Sequence, residues 1–87
     1  MLFLKEEKII DRENVIGSNI RRIRVEKGMG QTELVRELQL SKIAITRETL
    51  VKIEGGRQHI KLDQLRVIRD ILQVSYEDLL SMTTCSL

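Results

Sequence analysis

The sequence has no proline and no tryptophan, five glycines, and two aromatic residues, Phe3 and Tyr76. So little proline and glycine disfavours a fold of many short strands and tight turns and favours helices. With two aromatics the core has to be Leu, Ile and Val, and stacking of single-stranded bases on aromatic platforms is poorly served. The one cysteine, Cys85, excludes a disulfide within these residues and any cysteine-based zinc site, and it suits a reducing cytoplasm. No apolar run approaches the roughly 18 residues that a membrane helix needs. The opening Met-Leu-Phe-Leu gives way at once to Lys-Glu-Glu-Lys, too short and too charged for a secretory core. The expectation is a soluble, cytoplasmic protein.

What is present suffices for one domain. At 87 residues, 41% hydrophobic and 32% charged, the chain can close a single core and has no room for a separate effector domain. The net charge of +2 conceals a gradient. Residues 15–60 carry nine bases against five acids, whereas residues 1–14 carry three against four and residues 61–87 three against four. The positive field therefore sits over the middle of the chain, where a polyanion can be met, although a mixed solvated face carries similar charges.

The periodicity is helical. Ile16, Ile20 and Ile23 mark a first helix, with Asp11 or Asn14 to cap its start and Lys27-Gly28 to stop it. Met29 then plugs the core, and Leu34, Val35 and Leu38 mark a second helix from about Gln31 to Leu40, with Glu33 in its first turn. Ser41 to Ile45 is irregular. Thr46 is a good N-cap for a third helix whose inner face is Leu50 and Ile53 and whose end is Gly55-Gly56. Leu62, Leu65, Ile68, Ile71 and Leu72 make a fourth, and Ser75 with Asp78 resembles a capping box for a short fifth through Leu80. This is an all-α, five-helix reading: an N-terminal segment over 1–14, a domain over 15–80, and a tail over 81–87. Leu2, Phe3, Leu4, Ile9 and Ile10 either dock, on the body or on a second subunit, or belong to a partly ordered tail.

The stretches IGSNIRRIRVEKGMGQTELVREL, ITRETLVKIEGGR and LRVIRDILQVSYEDLL resemble the lambda-repressor-like helix-turn-helix family, the XRE type of bacterial and phage regulators, over about residues 15–80. The specific elements are Gln31, Glu33 and Leu34 at the start of the second helix, then Ile53-Glu54 and Gly56 at the end of the third. The resemblance implies a compact five-helix domain in which helices two and three read DNA. It implies that Gln31 touches the phosphate backbone and that Glu54 pairs with Arg24 as a structural ion pair. Two features depart from the family. The turn between Leu38 and Thr46 is longer than usual, which predicts an added turn on helix two and Ile43 and Ile45 folded inward. Gly30 stands where Ser or Thr commonly caps helix two, at a cost of only a few tenths of a kcal/mol.

Base reading falls to the outer face of helix three. Arg47 suits a bidentate contact with guanine, Glu48 can accept from a cytosine amino group, Val51 can meet a thymine methyl, and Lys52 reaches either a base or a phosphate. The phosphate-binding candidates are Gln31, Thr46, Thr49, Gly55 and Arg57, drawn from helix starts and from the turn after helix three. An ordinary solvated helix face and a plain glycine C-cap are the bland alternatives. Lys61 occupies a helix start without an evident reason. His59 has no second His or Cys near it, so no metal site is expected, and no cofactor is implied. No nucleophile-base pair, paired carboxylates in a cleft or phosphate-binding glycine loop stands out, so the chain is not read as an enzyme. The partner expected is a double-stranded DNA operator, bound by a homodimer that acts as a transcriptional repressor. The rival is a protein-interaction module of the same fold, such as an antitoxin or adaptor; double-stranded RNA is a poorer third, because its deep, narrow groove excludes a helix.

Overall fold

A computed structural model describes residues 2–5, 8–11 and 13–81. Two short strands, β1 (Leu2–Lys5) and β2 (Lys8–Asp11), pair antiparallel, with Leu2 opposite Asp11 and Phe3 opposite Ile10. Five helices follow: α1 (Val15–Glu26), α2 (Gln31–Leu40), α3 (Arg47–Glu54), α4 (Leu62–Leu72) and α5 (Tyr76–Leu80). The helical domain is the all-α one that the periodicity describes. The hairpin was not expected, since an apolar run as short as Leu2 to Leu4 carries no decisive period. How the side chains of residues 2–10 dock, and the tail residues 82–87 with Cys85, lie outside the described residues.

Each helix begins where a local acceptor is available. Asp11, rather than Asn14, serves α1: its carboxylate accepts from the backbone N–H of Val15 at 2.9 Å and of Ile16 at 2.6 Å, two of the four donors that a helix start leaves unpaired. Asn14 has a left-handed backbone (φ 54), which the ordinary extended cap does not use. Thr46 Oγ1 caps α3 by accepting from Thr49 N–H at 3.1 Å. Ser75 and Asp78 cap α5 reciprocally at 3.0 and 3.1 Å. At the start of α4 the buried Gln64 reaches back, its Oε1 accepting from the Lys61 N–H at 2.9 Å. That bond needs nothing from the Lys61 side chain, so a lysine is tolerated there.

Helices α1, α2 and α3 end alike. Met29 N–H returns to Arg24 O, Ile43 N–H to Leu38 O, and Arg57 N–H to Lys52 O, at 3.0, 2.9 and 2.8 Å. In each case the residue between the helix and the bonded N–H turns left-handed: Gly28 (φ 71), Lys42 (φ 68) and Gly56 (φ 80). Lys42 does so without the freedom of glycine, in the long turn between α2 and α3.

One core joins the helices. Ile16, Ile20, Leu34, Leu38, Leu50, Ile68, Leu72 and Leu79 are all but fully buried, and Met29 packs partly buried against them. Ile43 and Ile45 fold inward from the long turn, at 9% and 4% exposure. The buried Asn19 donates to the carbonyls of Leu79 at 2.8 Å and Ser81 at 2.9 Å, which fastens the end of α5 to α1. Among the described residues no helix is long and apolar enough to cross a membrane.

Candidate nucleic-acid interface

Helix α3 is amphipathic. Leu50 and Ile53 face the core, while Arg47, Glu48 and Lys52 are exposed and Thr49 and Val51 half-buried. The helical wheel thus turns the four candidate base-reading residues, Arg47, Glu48, Val51 and Lys52, off the core face of one short rod. Among the described residues the side chains of Arg47, Lys52 and Arg57 make no hydrogen bond or ion pair, so each cation is available to an external anion.

The rod is anchored at its far end by an ion pair. Arg24 donates from Nε to Glu54 Oε2 at 2.8 Å and from NH2 to Oε1 at 3.0 Å, and its NH1 donates to the Met29 carbonyl at 2.9 Å. Gln31, the first residue of α2, donates from Nε2 to Glu54 Oε1 at 3.0 Å. One carboxylate therefore gathers α1, the start of α2 and the end of α3. Three donors converge on this buried carboxylate and satisfy lone pairs that burial removes from water. One N–H of the Gln31 amide is committed to Glu54, which fixes the direction in which the other points.

The turn after α3 is held from the opposite side. Asn14 Nδ2 donates to the Glu54 carbonyl oxygen at 3.1 Å, and Gly17 and Gly56 give it room. A Cβ on Gly17 would collide with the Ile53 carbonyl oxygen, and one on Gly56 would lie 2.9 Å from Asn14 Cγ. Gly55, Gly56 and Arg57 are exposed beyond that latch. Thr46 and Thr49, the other candidates for phosphate, bond each other through their hydroxyls at 3.1 Å at the start of α3. His59 is exposed in the loop leading to α4, and Arg22 bonds the exposed Glu26 at 3.4 Å, a surface pair of small energetic weight.

Sequence reasoning missed two side chains of this region. Asn14 registers locally as a cap, and its role as a latch on the end of α3 lies 40 residues away. Gln39, an exposed polar residue of α2, donates to the Ile45 carbonyl at 2.9 Å across the long turn. The paired glycines at 17 and 56 are the one sequence signal that hints at the former.

Two helices joined by a turn, the second with its cationic outer face clear of the core, define a helix-turn-helix DNA-binding unit. A family model for the Cro/C1-type HTH DNA-binding domain matches residues 19–84, and the chain belongs to that family. The family is one of DNA-binding domains rather than enzymes. No curated protein and no solved structure matches the chain.

Proposed function

We propose that the protein is a transcriptional repressor of the cytoplasm that binds an operator as a homodimer and reads the major groove with α3. Arg47, Glu48, Val51 and Lys52 meet base edges; Gln31, Thr46, Thr49, Gly55 and Arg57 grip phosphates on either side. The observation that carries this reading is the outer face of α3, where Arg47 and Lys52 stand exposed and without partners among the described residues while Leu50 and Ile53 are only 0% and 2% exposed. A guanidinium near the start of such a helix suits a guanine edge, and the N-termini of α2 and α3 suit phosphate oxygens. Two copies on a two-fold site place two such helices one turn of DNA apart.

Selection of bound duplexes from a random pool tests the reading. The expected product is a two-fold symmetric consensus whose affinity falls steeply with salt, at about −0.9 in log affinity against log salt for each phosphate neutralised. Recovery of no consensus at low salt contradicts it.

A further inference from the structure

The long turn between α2 and α3 contains a brace that neither the core nor the proposed DNA contacts employ. Gln39 lies exposed in the last turn of α2 and donates from Nε2 to the Ile45 carbonyl at 2.9 Å, six residues on and directly before Thr46, the cap of α3. Between these points the chain has no regular structure: Lys42 turns left-handed and Ala44 is exposed, while Ile43 and Ile45 anchor the backbone inward. Buried side chains fix the depth of such a segment, but they leave its rotation about the anchor points weakly determined. The Gln39 amide adds a directional bond at the point where the turn enters α3.

We infer that Gln39 is a positioning residue for DNA recognition, setting the angle at which α3 leaves α2. The inference rests on the reading of α3 as the base-reading helix. It follows from the different tolerances of the two kinds of contact. An eight-residue helix is about 12 Å long and its far end is held by Glu54, so a tilt of about 10° about that end displaces its first residues by roughly 2 Å. Recognition geometry has to hold within about 0.5 Å, whereas attraction between a cation and a phosphate falls off gently with distance. Loosening the turn therefore harms the contacts of Arg47 and Glu48 with base edges and spares the grip of Gln31 and Arg57.

Two variants separate the brace from mere stability. Gln39→Met keeps the length and the helix-forming character of the side chain and removes the donor. Gln39→Lys restores a donor of similar reach. Binding of wild type and both variants is measured at fixed salt against the selected operator and its single-base changes, with melting recorded alongside. The expected result is a loss of about fivefold or more in discrimination for Gln39→Met at the base pairs facing the start of α3, with an unchanged salt slope. Recovery of discrimination in Gln39→Lys is expected as well. If Gln39→Met keeps its preferences, or loses affinity equally for every sequence as its melting temperature falls, Gln39 does not position α3. If Arg47→Ala leaves base preference intact while Gln39→Met changes it, the brace stands and the assignment of Arg47 is what fails.

Discussion

Glu54 ends α3 with both carboxylate oxygens bonded to Arg24 of α1, and the two side chains are 2% and 8% exposed. The pair ties the orientation of α3 to the body of the domain, and Gln31 extends the tie to the first turn of α2. The two ends of the helix-turn-helix are thus coupled through one carboxylate.

Removing either charge strands the other in the interior. Arg24→Ala or Glu54→Ala is expected to destabilise the fold by about 3 kcal/mol, well above a surface pair, and the double variant by much less than the sum of the singles. Chemical denaturation of the four proteins of the double-mutant cycle checks this. Additive losses would mean that the two residues are not coupled.

Gly17 and Gly28 offer a matched contrast. A Cβ at Gly17 meets the Ile53 carbonyl, backbone that cannot give way cheaply, whereas at Gly28 nothing lies within 4 Å and only the left-handed φ of 71 opposes substitution. Gly17→Ala is expected to cost about 2–3 kcal/mol and Gly28→Ala about 1 kcal/mol. Thermal melts of the two variants give the order directly, and equal losses would contradict the close approach of α1 to α3.

Gln73 closes α4 in a left-handed conformation, φ 58, that glycine adopts without strain. Gln73→Gly is expected to raise stability by about 0.5–1 kcal/mol, the relief of strain exceeding the extra chain entropy lost on folding. A lower denaturation midpoint would overturn the assignment.

Much of this architecture is legible in the sequence because its causes are local or periodic. The spacing of Ile16, Ile20 and Ile23, of Leu34 and Leu38, and of Leu65, Ile68 and Leu72 marks the faces that are buried. Thr46, Ser75 and Gly28 mark helix ends by chemistry that acts within a few residues. The wheel of α3 followed from Leu50 and Ile53 alone. Contacts across long separations leave no such mark. Asn14 reaches the carbonyl of Glu54, and Asn19 reaches Leu79 and Ser81, through bonds that the neighbouring residues do not signal. Gln64 capping its own helix explains Lys61, which had no account when only the residue at the cap was considered. The hairpin of residues 2–5 and 8–11 escaped because its strands are four residues each, too short for alternation to outweigh a helical reading.

The central claim is that α3 reads bases while the turn after it grips the backbone, and a single panel of measurements separates the two. Affinities of wild type, Arg47→Ala and Arg57→Ala are measured at fixed salt against the selected operator and every single-base change in one half-site, with helical content checked by circular dichroism. Arg47→Ala should lose about 1–3 kcal/mol of preference at one base pair per half-site, while Arg57→Ala should weaken binding to all sequences alike. If Arg47→Ala instead loses affinity uniformly and keeps every base preference, α3 does not read the groove through that residue.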